Sequence, residues 1–573
     1  MQFRSRSSHP AVVALCILLC ACRHAPPQSG TQIKEGMRVD DAYGDVIELE
    51  QGWTDETQEA FYNTPQGSEI MPYPWIVALE QRDSQKPFLD PTNIERFRYL
   101  PRKKTAANPD GLPVGWTKGP DAAGREWLGL NCSACHTAQL EYTRADTQQK
   151  VGIRVDGAPT LANFNLMSEE LVAALQATLA EPAKFNRFAK AVLKESSPSQ
   201  NALDALRGEV QVQTEKLNTR NAINKSPVEY GFGRIDAIGF IFNNVMSIFP
   251  GIPANARPAT APASYPFLWG TDQSDVVQWT GFAANMSGAG VLVRNGGEVF
   301  GVFGKVALTK STAYESSLQI ENLGRIENWV RELNSPAWPE EVFPKIDRTK
   351  AALGEKLYAD ACAGCHQVIP REVAIKTAYR ANITDIDILK TDPTELNNMS
   401  SRYQAGIYEG KKAASLAGDV IPNPTTGLDP LINAVTGSLL QHKLQTLAGY
   451  ADQYSTWTPS HEGDAAGYKG RPLNGIWATA PYLHNGSVPN LYELLLPTGQ
   501  RSKSFTLGSR EFDPVRVGYA LEQPKQAGAY APFTFDVSLP GNSNAGHEFL
   551  STQDGKPFTD EQRWQLVEYM KTL

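Results

Sequence analysis

Two segments of the form C-x-x-C-H, Cys132-Ser133-Ala134-Cys135-His136 and Cys362-Ala363-Gly364-Cys365-His366, constrain this 573-residue chain more than any other feature. Each reads as a covalent attachment site for a c-type haem. Both thiols reach the vinyl groups of one porphyrin, and the next residue turns its imidazole onto the iron as proximal ligand. A zinc knuckle or a thioredoxin-like pair shares the cysteine spacing, but here both copies sit behind the same kind of run. Gly124 stands eight residues before Cys132 and Gly354 eight before Cys362, with Trp127, Leu128 and Leu130 in the first interval and Leu357 and Tyr358 in the second. Two covalently bound haem c groups follow, anchored by Cys132, Cys135, Cys362 and Cys365, with His136 and His366 as metal ligands.

The cysteine count agrees. Of seven cysteines, Cys16, Cys20 and Cys22 lie in the first two dozen residues and the other four are in the two motifs, so none is left for a disulfide. Basic Arg4 and Arg6 precede an apolar stretch from Ala11 to Cys20, far shorter than the roughly 20 residues a spanning helix needs. That is an export signal. Leu19-Cys20-Ala21-Cys22 resembles a bacterial lipobox, cleaved before Cys22 with acylation of its thiol, and Arg23 behind it suggests outer-membrane sorting. An ordinary cleaved signal is the other reading of residues 1–22. Either way the expected location faces the periplasm, where c-type haems are attached, and the only expected membrane contact is a lipid anchor at Cys22.

Length predicts more than one domain. Residues 23–50 are rich in Pro, Gly and charge and read as a tether. A first haem domain is expected over 51–341 and a second over 342–573, with Ser335-Pro336-Ala337-Trp338-Pro339 at the border. Ser168 to Leu193 carries an apolar stripe at Leu171, Val172, Leu175, Leu179 and Phe185. Thr559 and Gln562 stand at capping-box spacing before Trp564, Val567 and Met570. The glycine-led runs resemble the helix preceding the haem in class I cytochrome c, and the last segment resembles its closing helix. The expected fold is therefore mainly α: two class I cytochrome c-like haem domains with large loop and helical insertions. Net charge is −8 with both signs interspersed, so nothing points to nucleic acid.

Histidine supply separates the two haems. Beyond His9, His24 and the two proximal residues, the four remaining histidines, His442, His461, His484 and His547, all follow the second motif. The first haem therefore lacks a local histidine for its distal face. Met167, Met246 and Met286 are available there, although Met167 falls in the apolar stripe, and an open distal face is the preferred reading. An open iron binds peroxide or dioxygen. The second haem has histidines to spare, and a six-coordinate haem mainly moves electrons.

The stretch Pro472-Leu473-Asn474-Gly475-Ile476-Trp477-Ala478-Thr479-Ala480-Pro481-Tyr482-Leu483-His484-Asn485-Gly486-Ser487 resembles the T-A-P-Y-x-H-D/N-G-S signature of the bacterial diheme cytochrome c peroxidase superfamily. Gln278-Trp279-Thr280-Gly281-Phe282 is similar to the peroxidase F-W-D-G-R segment, whose tryptophan lies between the haems. Nineteen residues after Trp279, Glu298 in Arg294-Asn295-Gly296-Gly297-Glu298-Val299 matches the stretch carrying the distal acid. The similarity is widest to the rubber-oxygenase-like branch, through Gln66-Gly67-Ser68, Pro72-Tyr73, Gly111-Leu112-Pro113-Val114-Gly115 and Gly546-His547-Glu548-Phe549. It departs from the peroxidases at Thr280 and Phe282, which replace their Asp and Arg, and at Thr498, where they carry a methionine ligand.

The resemblance implies that His547 is the second ligand of haem two and His484 a neighbour of its propionates, the reverse pairing staying open. It implies Trp279 as the bridge between haems and Glu298 as a general acid/base moving a proton between peroxide oxygens. Apart from it, Glu298 reads as a glutamate in a Gly-rich turn and Trp279 as a buried indole. Arg234 has a planar fork suited to a propionate and equally to a plain salt bridge. Peroxidase relatives often hold a calcium ion between the domains, and the sequence leaves that ion open. The leading functional expectation is a cytochrome-c peroxidase-like oxidoreductase that reduces hydrogen peroxide with electrons from a small periplasmic cytochrome or cupredoxin. The alternatives are a haem-dependent dioxygenase of apolar polyenes, with Phe282 walling its pocket, and a non-catalytic electron carrier.

Overall fold

The structure is a computed structural model and describes residues 33–41, 44–285, 289–308, 314–450, 466–521 and 530–573. The signal segment, Cys22, Met286 and His461 lie outside the described residues.

The expectation of a mainly α fold is corrected by the sheets. Of the described residues 38% are helical and 15% lie in strands, a mixed α/β architecture. In chain order come β1 (Ile33–Asp41), β2 (Gly44–Leu49), β3 (Met71–Pro72), β4 (Trp116–Pro120), β5 (Glu126–Leu130), β6 (Thr137–Thr143) and β7 (Lys150–Asp156). One sheet has the order β1-β2-β7-β6, with β2 and β7 parallel, and a second has the order β3-β5-β4. The physical reason was present in the sequence. Val151, Ile153 and Val155 recur at period two, and such β-branched residues suit a pleated surface with a buried face. The stretch read as a tether is corrected in part, because Val46 to Leu49 are buried where β2 joins this sheet.

The first motif lies between the two sheets. Its run from Glu126 to Leu130 is strand β5, not the helix expected from its resemblance to the second. Cys132–Ala134 forms one 3-10 turn, capped by Asn131, whose Oδ1 accepts the Ser133 N–H at 3.0 Å. The Asn131 amide also donates to the Phe61 and Thr64 carbonyls, at 2.6 and 2.9 Å. A Cβ on Gly115, whose φ is +74°, would fall 2.0 Å from Ala134 N, so only glycine lets β4 approach this turn.

The helices needed below are α1 (Phe164–Ala180), α2 (Pro182–Leu193), α3 (Ala237–Asn243), α4 (Ala289–Gly301), α5 (Arg348–Ala361), α6 (Thr394–Met399) and α7 (Asp560–Met570). The single stripe expected from Ser168 to Leu193 is two helices, because Pro182 cannot continue the first and instead opens the second. Around the second motif two helices pack together. Helix α5 runs straight into Cys362, and α7 closes across it behind a complete capping box at Thr559 and Gln562. Gly354 marks that crossing.

The largest core joins Ile153 and Val155 of the sheet to Trp338, Phe343, Tyr358, Trp477, Phe512 and Val567. Trp338, within the Pro-rich stretch expected at the domain border, is 3% exposed and lies 4.8 Å from the Phe343 ring and 5.5 Å from the Trp477 ring. The two halves therefore share a core. The Arg510 guanidinium reinforces it, donating to both Glu95 oxygens at 2.9 Å across 415 residues of sequence. Among the described residues no helix is long and apolar enough to cross a membrane.

Candidate haem sites

The second motif opens on a cavity of about 290 Å³ whose lining includes Cys362, Cys365, His366, Tyr468, Arg471, His484, Leu495, His547 and Phe558. The motif's backbone curls onto itself: Cys365 N–H and His366 N–H both reach the Cys362 carbonyl, at 3.1 and 2.8 Å. His366 Nδ1 lies 2.9 Å from the Arg471 carbonyl, which orients the ring and leaves Nε2 for a metal. Across the cavity stands His547, its ring centre 6.1 Å from that of His366. A metal ion bonded to two imidazoles at about 2 Å each holds their centres roughly 6 Å apart, so this pair fits one iron between them. His547 Nδ1 is buried without a hydrogen-bond partner, and burial together with His366 and Arg501 pulls this imidazole down to about 3, keeping it neutral as a ligand must be. His484 stacks on Tyr468 at 4.0 Å and 22° on the wall of the same cavity.

The first motif opens on a second cavity of about 130 Å³, bounded by Cys132, Cys135, His136, Tyr265, Gln278, Trp279 and Glu298, with Ile235, Ile238, Phe240, Ile241 and Val302 as its apolar walls. His136 Nδ1 lies 2.7 Å from the Pro266 carbonyl, the same orientation device as at His366. Burial lowers its imidazole to about 4. All four motif cysteines are unpaired, and burial raises the thiols of Cys132, Cys135 and Cys362, the last two to about 12, so they stay protonated until a thioether forms. The donor set, orientation and apolar walls of both cavities fit a covalently held haem.

Glu298 projects from α4 into the first cavity. Burial pushes its carboxyl up to about 6, with nearby Glu327 adding to the shift and Arg294 and the Gln278 amide, donating at 3.0 Å, opposing it. Arg294 is itself held by Glu327 at 2.5 Å, both side chains nearly fully buried. Gln278 has φ +67°, a left-handed conformation that costs a non-glycine residue on the order of 1 kcal/mol. That conformation brings its amide to Glu298 while the next residue, Trp279, faces both cavities. The indole is fixed by donation to the Ser264 carbonyl at 2.8 Å, and Ser264 and Tyr265 also line both cavities.

Other sequence candidates lie elsewhere. Arg234 lines neither cavity; its fork is spent on the Tyr230 carbonyl, at 2.9 and 2.6 Å, and on Asn542 Oδ1 at 2.8 Å, over the Phe535 ring. The arginine on the wall of the second-motif cavity is Arg471, which donates to the Phe267 and Trp269 carbonyls and keeps a buried, unpartnered Nε. Met167 and Met246 are buried in separate apolar cores, and Phe282 packs against the latter. Sequence reasoning also missed Gln278, Asp236 and Glu395 as cavity residues; for Glu395, in a short helix far from every motif, no sequence signal existed.

A family model described as RoxA-like, cytochrome c-like matches residues 467–506, the stretch that carries His484 and the strand behind His366. The chain is 31% identical over 592 residues to the uncharacterized protein y4iJ of Sinorhizobium fredii, covering 92% of this chain and 93% of that protein. It is 27% identical over 347 residues to the uncharacterized protein y4iM of the same organism, covering 57% and 67%.

Proposed function

The chain belongs to one family with y4iJ, and its residues 467–506 match a RoxA-like, cytochrome c-like model; from that premise we propose that it is a haem c-dependent oxidoreductase that carries two haems and reduces hydrogen peroxide at the one held by Cys132, Cys135 and His136. Haem c, when bound, supplies the iron and electrons for breaking an O–O bond. The protein supplies proton transfer, orientation and a dry wall.

The observation that carries this reading is the enclosed Glu298 carboxyl on the first cavity. Heterolysis needs the proton of one peroxide oxygen moved to the other. A carboxyl raised to about 6 exchanges protons readily near neutral pH. Glu298 takes the proton and returns it to the oxygen that leaves as water, while Gln278 holds the carboxyl in place. Trp279 shortens the gap between the cavities, through which electrons arrive from the Cys362, Cys365, His366 and His547 site. His484 and Arg471 position the propionates there. A small periplasmic cytochrome or cupredoxin is the proposed donor, and the chain is proposed to face the periplasm as a lipoprotein anchored at Cys22.

Replacing Glu298 by Gln should lower peroxide turnover by about 10²–10⁴-fold while carbon monoxide still binds one haem per chain. Undiminished turnover refutes the proton-transfer role. A second reading, oxidative cleavage of an apolar polyene by dioxygen, is favoured by the apolar walls Ile235, Ile238, Phe240 and Ile241. It predicts polyene cleavage that survives Glu298→Gln and a protein inert to peroxide.

A further inference from the structure

Two acids besides Glu298, Asp236 and Glu395, line the first cavity. Asp236 precedes α3 and Glu395 lies in α6, which packs on α3. Glu395 is 5% exposed, and its Oε2 is buried without a hydrogen-bond partner. A buried carboxyl in that state is costly and calls for a physical explanation. Asp236 is also buried, but its oxygens accept the Gly239 N–H at 2.8 Å and the Ala261 N–H at 3.0 Å.

The surroundings decide which of the two carries a proton. Burial raises Glu395 to about 8, with the Asp236 charge adding to the shift; burial raises Asp236 too, but backbone donors oppose it and the value stops at about 6. Cations stand on the Asp236 side of the pair: Arg257 lies over the Tyr403 ring, and Arg234, two residues before Asp236, donates to the Tyr230 carbonyl. Asp392 lies on the same stretch of chain, and its carbonyl accepts the Tyr468 hydroxyl at 2.8 Å. Tyr468 faces Glu395, and Asp236 acts on Tyr403. Among the described residues no cation offsets the charge of an ionised Glu395, so a proton is its available counter-charge.

We propose that Glu395 and Asp236 form an electrostatically coupled carboxyl pair in the wall of the haem cavity, Glu395 taking up a proton when that haem is reduced and releasing it on oxidation. This deepens the proposed function, because peroxide reduction consumes two protons with its two electrons and the pair stores one beside the site. It rests on a haem at Cys132 and Cys135 and not on the choice of peroxide over dioxygen. An electron added to the iron makes the cavity more negative and so favours the protonated pair; its removal does the reverse.

The test is a spectroelectrochemical titration of the full-length holoprotein, following the haem of the first motif from below pH 6 to above pH 8. The wild-type midpoint potential is expected to fall as pH rises through this range. Glu395→Gln, nearly isosteric, should flatten the upper part of that dependence, above about pH 7 where Glu298 and Asp236 are already ionised, with haem content unchanged, and Glu395→Asp should retain it. A flat wild-type curve, or an unchanged slope in Glu395→Gln, overturns the proposal. An infrared difference spectrum of wild type needs no variant: a protonated-carboxyl stretch should grow on reduction, and its absence overturns the proposal as well. Mass spectrometry showing no haem on Cys132 and Cys135 would instead overturn the underlying haem assignment.

Discussion

Helices α5 and α7 cross at Gly354, and the crossing admits nothing larger. A Cβ at that position would stand 2.0 Å from the Gln565 carbonyl oxygen, 2.5 Å from its carbon and 2.9 Å from Tyr569 Cβ. The two nearest atoms are backbone, so no side-chain rotation relieves the clash. Reaching ordinary contact at 3.4 Å requires the helices to part by 1.4 Å, and such overpacking costs about 3 kcal/mol at the upper end of its range. Alanine recovers about 1 kcal/mol of helix propensity, leaving a net loss of about 2 kcal/mol for Gly354→Ala. Gly208, inside the helix Gln200–Ile223, is the control: its Cβ would meet nothing within 4 Å, so Gly208→Ala should stabilise by the propensity gain alone. Hydrogen exchange of the holoprotein reads both. Because about 1.4 kcal/mol is tenfold, amides of α7 should exchange roughly 30-fold faster in Gly354→Ala, and those of Gln200–Ile223 more slowly in Gly208→Ala. Unchanged or slower exchange of α7 in Gly354→Ala would refute the claim that this contact limits how closely the motif helix packs.

Two further outcomes follow from the sites. Replacing His547 by Ala should convert the second iron from low to high spin in electron paramagnetic resonance, with added imidazole restoring the original signal; an unchanged spectrum would assign the ligand role to His484. Because Glu298 must be ionised to accept a proton, peroxide turnover should fall as pH drops through about 6, and the residual turnover of Glu298→Gln should lack that acid limb.

Legibility differed between the two motifs. Around Cys362 the neighbours that matter are local or carry signals of their own: Gly354 eight residues upstream in α5, and the Thr559 and Gln562 capping box announcing α7. Around Cys132 the matching glycine-led run misled, because apolar residues of a short interval fit a strand as well as a helix, and pairing with β4 and β3 decides between them. Pro182 was a readable helix breaker that the apolar stripe across it concealed. The role sought for Arg234 went elsewhere because a guanidinium is satisfied by whatever carbonyls converge on it, and those of Tyr230 and Asn485 converge only in the folded chain.

By itself the sequence determined the donors that spacing can encode: two C-x-x-C-H sets, each fixed along five consecutive residues, and a surplus of histidines on one side only. Only the tertiary structure decided which distant groups share a cavity. It brings His547 within 6.1 Å of His366, sets Trp279 on both cavities, and leaves Glu395 buried on the wall of one. Ligand sets within a turn follow from covalent reach, whereas partners hundreds of residues apart meet only because burying apolar surface in a shared core brings their elements together.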